Sequence, residues 1–293
     1  MTDKPQIHVS GLEMLSRCGE QFRRRYIEND KMPPGVAEKV GTSTHRTIEK
    51  NMNNFIKVGS LLPVEQIQDL ARDTMGSEWQ SGVMLNEEEV AEGIEKVKAG
   101  AIDKAVRLST LHAEKVAPTI QPTHVERQWV VEMQGYPMDL VGQIDLQQGS
   151  KWIRDSKTSG KTPPKTIADD SLQLTAYALA VKIIDGVIVE SVNLDYLIDT
   201  KTPQAVSFPS TRDEKDFQVL LNRIERAILI LERGAFQPEL DLSKYFKVIQ
   251  KEPSTKDENI NDRIQREGAQ MWGGGSEAQW YREHKGYSEK LPG

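Results

Sequence analysis

The stretch GQIDLQQGSKWIRDSKTSG, residues 142–160, decides how this chain is read. Leu140 to Leu146 reads as one strand, Gln147-Gln148-Gly149-Ser150 as a turn, and Lys151 to Lys157 as the next strand. Asp145 lies near the end of the first strand, and Asp155 and Lys157 lie two apart on the second. Side chains two apart leave a strand on the same face. The hairpin therefore brings two carboxylates and one ammonium towards one spot. Paired carboxylates suit a hard divalent cation such as magnesium, with water and phosphate oxygen completing its shell. Such an ion polarises a phosphorus–oxygen bond and acidifies a water, and a lysine stabilises the charge gathering on the phosphate. Taken alone, the same hairpin also describes an ordinary charged surface.

Working outward, Thr158 to Lys165 is a loop punctuated by Gly160, Pro163 and Pro164, and Ser171 to Ile184 is a strong helix. Gln173 and Tyr177 sit four apart on that helix and share a face. Val187 to Leu197 reads as a strand, Ala205 to Phe208 as its partner, and Arg212 to Arg233 as an amphipathic helix. Upstream, Val125, Arg127, Trp129 and Val131 alternate as a strand would. Before them the pattern is helical: residues 10–27 as one amphipathic helix, a second from about residue 41 through His45, Ile48 and Met52, and a long one from Asn86 to Val116. Gly41 precedes His45 by one turn, permitting close backbone approach there. The order of elements predicts an α/β fold, a mixed sheet flanked by helices with a helical region before it. Three regions follow: a helical region at 1–121 carrying His45, a core at 122–250, and a polar tail at 251–293, all in one structural unit.

Composition narrows the class. The chain has 293 residues, 37% hydrophobic and 28% charged, with a net charge of −6. Mean hydropathy is −0.55 and the isoelectric point about 5.6. A protein held to nucleic acid by bulk charge would be basic, so any such contact must use a local track. Residues 17–25 hold Arg17, Arg23, Arg24 and Arg25 against Glu20, and residues 151–165 hold Lys151, Arg154, Lys157, Lys161 and Lys165 against Asp155. Solvated faces carry similar clusters. No apolar run reaches the roughly 18–20 residues of a membrane span, and the first ten residues lack an apolar signal core, so a cytoplasmic setting is expected. Cys18 is the single cysteine, which excludes an internal disulfide or a multi-cysteine metal site. There is no phosphate-binding Gly-rich loop, no His-Glu-x-x-His and no Gly-x-Ser-x-Gly.

Five segments in order, SGLEMLSRCGEQFRRRYI (10–27), GTSTHRTIE (41–49), GQIDL (142–146), RDSKTS (154–159) and LQLTAYALA (172–180), resemble the RecB-type branch of the PD-(D/E)XK nuclease superfamily. The resemblance implies a restriction-endonuclease-like core with a helical N-terminal lobe. It implies His45, Asp145, Asp155 and the carbonyl of Ser156 as ligands of Mg2+ or Mn2+, and Lys157 as the catalytic lysine beside Asp145 and Asp155. Gln173 and Tyr177 match the motif that contacts DNA, with Lys161, Lys165 and Arg24 as further DNA-binding cations. Many relatives carry four cysteines around an iron–sulfur cluster. Here Cys18 matches the first, but the segment MWGGGSEAQWYREHKGY (271–287) has none. One thiolate cannot replace four, so no cluster is expected, and Cys18 reads as a small buried residue.

The activity implied is metal-dependent hydrolysis of DNA, most simply by an exonuclease acting on ends or single strands in repair, recombination or phage DNA processing. A recombination protein or helicase would be its partner, and no membrane is involved. The competing reading is a DNA- or partner-binding module with an idle site. Retention of His45, Asp145, Asp155, Lys157, Gln173 and Tyr177 together argues against it.

Overall fold

The computed structural model describes residues 4–237. The polar tail and residues 271–287 discussed above lie outside that range. The described residues fall into two compact units, 4–10 with 33–225 and 11–32 with 226–237.

The first unit is built on a six-stranded mixed sheet. Its strands are β1 (Gln6–His8), β2 (His124–Val131), β3 (Asp139–Gln148), β4 (Trp152–Ser159), β5 (Ser191–Ile198) and β6 (Gln204–Ser210). The central strand is β3. One of its edges pairs antiparallel with β2 from His124↔Gln147 to Val131↔Leu140. Its other edge is shared. β1 runs parallel to residues 139–141, and β4 pairs antiparallel only with residues 146–148. Beyond Leu146↔Arg154 the hairpin opens, and β4 continues alongside β5 to Ser159↔Ile198. Strand β1 was not legible in the sequence, being three residues long with one buried side chain, Ile7.

Helix α3 (Val36–Val58), α4 (Val64–Gln80), α5 (Glu87–Glu92) and α6 (Ile94–Lys115) form the lobe inserted between β1 and β2. Val40, Ile48 and Met52 of α3 pack with Met75 of α4, with Ala101, Ala105 and Leu108 of α6, and with Leu146 and Leu197 of the sheet. Each fully buried Leu, Ile or Met there contributes roughly 1.5–3 kcal/mol. A polar seam lies within this lobe. Ser43 and Thr47 of α3 meet the Thr74 hydroxyl at 2.9 and 3.3 Å, and the buried Lys39 ammonium reaches Glu78 at 3.1 Å. Directional bonds of this kind fix how α3 is set against α4, which hydrophobic contact alone does not.

Two helices expected to be continuous are divided. The helix expected over 86–116 breaks at Gly93, whose φ of 96° and ψ of 132° suit a residue without Cβ. Asn86 and Glu89 close a capping box at the start of the short first piece. In the second unit, the helix expected over 10–27 becomes α1 (Val9–Arg17), α2 (Gly19–Phe22) and a π-helical turn at Arg23–Ile27. Cys18 is half-buried at the break, and its sulfur accepts from the Gln21 N–H at 3.4 Å. The thiol thus caps a helix, where the sequence reading made it only a space-filler. Phe22 stacks on Tyr26 and on Phe236, with centroids 4.8 and 6.4 Å apart.

Helix α7 (Leu172–Asp185) packs on the sheet, and α8 (Glu214–Arg233) follows β6. α7 is apolar on most sides, hence largely buried from Leu172 to Val181 with Gln173 and Leu179 only partly so, and is capped by the Ser171 hydroxyl and by left-handed Gly186. The start of β5 is Ser191 rather than Val187, because residues 187–190 leave the ladder.

Gly142 of β3 lies under Trp129 of β2, where a Cβ would stand 2.4 Å from the indole Cζ2. No rotamer of the neighbour relieves a clash that close while the ring stays in place. Gly142→Ala should therefore cost about 1–3 kcal/mol, read as a lower denaturant midpoint. An unchanged midpoint would show that Trp129 is not locked there.

Candidate metal and catalytic centre

The site lies where β3 and β4 part. Between Val141 and Leu146 the shared edge of β3 has no ladder partner among the described residues. Asp145 sits in that gap, and its Oδ2 accepts the Ser156 N–H of β4 at 3.0 Å. The same oxygen meets Nδ1 of His45 at 3.2 Å. The carboxylate thus joins β3, β4 and helix α3 at one atom.

On β4, Asp155 is buried, and the Lys157 ammonium stands 2.7 Å from its Oδ2. At that distance the ammonium neutralises much of the charge of the buried oxygen. Lys157 Nζ also donates to Gln173 Oε1 at 2.9 Å, and Gln173 Nε2 donates to the Tyr177 hydroxyl at 2.6 Å. Tyr177 is only 4% exposed. Its ring meets Trp129 edge-on, with centroids 6.3 Å apart and planes at 84°. Both are therefore placed at the centre, but Tyr177 presents no open face for the base stacking that a DNA contact would use.

Glu126 is the functional candidate that sequence reasoning missed. The pairs Val125↔Leu146 and Arg127↔Ile144 put it directly opposite Asp145. Its φ of 51° is in the left-handed region, uncommon for a residue with a side chain. Backbone strain of that kind persists where the surroundings hold it, as functional sites do. Its carboxylate also accepts from the Gln143 amide. Ligand atoms of His45, Glu126 and Asp145 all lie within 4.8 Å of one another. The only sequence signal was an acid in the middle of a strand that alternates Val125, Arg127 and Trp129.

An open cleft of about 710 Å³ exposes this group, lined by Gly41, Thr42, His45, Arg46, Glu49, Glu126, Asp145 and Lys157, among others. A Cβ at Gly41 would meet Thr158 Oγ1 at 3.4 Å, an ordinary contact. The glycine is thus less a requirement of close packing than a means of keeping the cleft clear. Lys161 and Lys165 are exposed on the loop after β4 and are not among the cleft-lining residues. Arg24 lies in the second unit, its guanidinium on Glu20 at 2.8 Å and near Asp30 at 3.8 Å.

Charge is concentrated here. Burial opposes the charged form of His45, but the bond and charge of Asp145 outweigh it and raise the imidazole to about 8. Burial likewise opposes ionisation of Asp145, yet His45, Lys157 and the Ser156 N–H hold it below its usual range. Asp155 is pushed up to about 6 by burial and by the Asp145 charge, against Lys157 and His45. Glu126 rises to about 7 through burial and the same neighbouring carboxylates. Burial would lower Lys157, but Asp155 and Asp145 raise it, so it stays an ammonium.

A divalent cation fits this set. Hard carboxylate oxygens and one imidazole are its natural donors, and His45, Glu126 and Asp145 bring theirs within 4.8 Å of one another, a group that Asp155 does not join. The Asp145 charge raises both Asp155 and Glu126, a repulsion that an added cation would relieve.

A mixed sheet flanked by helices, with a carboxylate–histidine–lysine cluster where two strands part, defines the restriction-endonuclease-like class. The family model described as the PD-(D/E)XK nuclease superfamily matches residues 6–245, and the chain belongs to that superfamily. It is thus a nuclease by family, and its relatives use divalent metals. A crystal structure from Eubacterium rectale, of a protein provisionally named an exonuclease, aligns with a TM-score of 0.53 at 13% identity, over 89% of this chain and 93% of that one. SSO0001 aligns over 78% of each chain with a TM-score of 0.37 and 11% identity. No curated protein matches the sequence. No helix among the described residues is long and apolar enough to cross a membrane.

The shifted groups set a pH dependence. Asp155 and Glu126 hold their protons to higher pH in the fold than in the unfolded chain, so their contribution is withdrawn as pH rises from about 4 to 7. Stability that His45 gains as imidazolium is present below pH 6.5 and fades as pH passes 8. Asp145 acts in the opposite direction, but only in acid below that window, and His112, lowered to about 3 by burial, opposes the trend up to pH 6.5. In chelator, melting temperature should fall between pH 6.5 and 8, and added Mg2+ or Mn2+ should restore it most at pH 8. Asp155→Asn should raise the metal-free melting temperature at pH 8 and abolish most of the metal effect. A metal-free stability that rises over this range would contradict the assignment.

Proposed function

We propose that this protein is a Mg2+- or Mn2+-dependent deoxyribonuclease of the RecB-type branch. In this reading it works as an exonuclease on DNA ends or single strands, in repair, recombination or phage DNA processing. One observation carries the proposal: the lysine ammonium sits 2.7 Å from Asp155, beside the Asp145 carboxylate that His45 engages, in an open cleft. The branch rests on the order His45, Asp145, Asp155-x-Lys157, Gln173-x-x-x-Tyr177, which is the order of the resemblance. The Eubacterium rectale protein, provisionally named an exonuclease, lends support to the same direction.

The ligands in this reading are His45, Asp145, Asp155 and the carbonyl of Ser156, with Glu126 beside them. When bound, the cation supplies positive charge that polarises the scissile phosphate and acidifies a water. The chain supplies the rest. Asp145 orients His45 and closes the gap to β4 through Ser156. Lys157, kept charged by Asp155, offers an N–H to a phosphate oxygen or to the attacking water, where negative charge develops. Arg46, 53% exposed in its side chain at the cleft and anchored to Glu78, offers a cation to the DNA backbone. Lys161 and Lys165 extend that attraction along the strand.

Digestion of end-labelled linear and covalently closed circular DNA, with Mg2+, Mn2+ or chelator, tests the reading. Loss of linear label with circles intact is expected for an exonuclease, and silence in chelator for metal dependence. Asp155→Ala or Lys157→Ala should lower the rate by a factor on the order of 100–1,000 or more while the protein stays folded. Full activity in Asp155→Ala would overturn the site, and binding of DNA with no cleavage by the wild type would favour an idle module.

A further inference from the structure

We propose that Trp129, Tyr177 and Gln173 form a buried strut that holds the Lys157 ammonium in place, and that Gln173 and Tyr177 are positioning residues. The inference rests on the hydrolytic reading of the site above. It differs from that reading's motif assignment, in which the pair touches DNA.

The chain of contacts runs without interruption. Trp129 lies over Gly142, where no side chain could fit beneath it. Its edge-on contact fixes the ring of Tyr177. The Tyr177 hydroxyl accepts from Gln173 Nε2 at 2.6 Å and so tethers the far end of the amide. Because an ammonium can only donate, Oε1 is the atom turned to Lys157, at 2.9 Å. An amide turned the other way would set its NH2 against an ammonium, donor against donor. The ammonium therefore settles which end of the amide faces it, and the tyrosine tethers the other end where the contact can form.

The strut answers a mechanical need. Asp155 holds Lys157 from one side, with the ammonium 2.7 Å from its Oδ2. One partner leaves a flexible lysine stem free to swing about that contact, whereas a hydrogen bond from a second side restricts it. Two anchors on different elements, β4 and α7, define where Nζ stands. The indole N–H of Trp129 is buried without a partner. The position is thus occupied for the shape of the ring and not for a hydrogen bond. Tyr177 and Trp129 are each only 4% exposed, so neither offers a nucleotide a surface.

The test uses full-length protein and three variants, Gln173→Leu, Gln173→Glu and Tyr177→Phe, each checked for cooperative melting. Steady-state cleavage of labelled DNA gives kcat and KM, and anisotropy with Ca2+ gives DNA affinity. The strut requires kcat to fall between about 10- and 100-fold in Gln173→Leu and Tyr177→Phe, the scale of a misplaced catalytic group. KM and affinity should stay within about twofold, since no DNA contact is lost. Gln173→Glu should recover most of kcat, because a carboxylate still accepts from the ammonium. Weakened DNA binding with kcat retained would overturn the strut and return the pair to a DNA contact.

A second readout does not depend on turnover. In protein labelled with 15N-lysine, the Lys157 ammonium should give a resolved 1H–15N signal, assigned by its loss in Lys157→Met. That signal should broaden or vanish in Gln173→Leu and Tyr177→Phe. An unchanged signal in both variants would reject the strut, whatever the activity. If the wild type cleaves no DNA, the nuclease reading fails while the ammonium signal still decides the strut.

Discussion

The hydrogen bond from the Ser156 N–H to Asp145 holds the site together. A β-hairpin normally closes its ladder along both strands. Here the ladder stops at Leu146↔Arg154 and the strands part, which would strand backbone groups in a partly buried gap. Asp145 reaches across with its side chain and satisfies one of them. Because the same oxygen meets His45, the repair of the sheet and the placing of helix α3 are one event. The parting of the strands is what makes room for a substrate between a helical lobe and a sheet.

The electrostatics follow from that crowding. A carboxylate that bridges two strands cannot move away from Asp155 behind it or Glu126 opposite it. The three acids therefore share too little positive charge among themselves, and two of them resist ionisation near neutrality. Lys157 and His45 supply part of the balance. Such an arrangement is costly to keep and has little value to stability alone, which is the physical argument that it is kept for an ion.

The sequence made the hairpin and its chemistry legible for a simple reason: period-two alternation places Asp155 and Lys157 together whatever the rest of the fold does. His45, Gln173 and Tyr177 carried weak local signals and gained meaning from their order. Glu126 stayed hidden because its part depends on cross-strand register and on a φ of 51°, neither of which a run of residues displays. The breaks at Cys18 and Gly93 were hidden similarly, since an apolar periodicity persists across an interruption of one residue. Burial of Tyr177 could not be read either. A tyrosine at helical spacing looks the same whether it faces a nucleotide or a tryptophan 48 positions earlier.

The shared edge of β3 also governs how the chain must assemble. β1 pairs with residues 139–141, and Lys4 reaches Asp139 and the Met133 carbonyl in the same region. Between 129 and 135 positions, the whole helical lobe among them, separate these partners. During synthesis the lobe's helices have their sequence neighbours at hand, while β1 has nothing to pair with until β3 has emerged. Loop closure over that distance must be met before the contact returns anything. The first strand is therefore a late arrival to a sheet whose centre forms without it. Its short length, with a single buried side chain, keeps little apolar surface exposed in the interval.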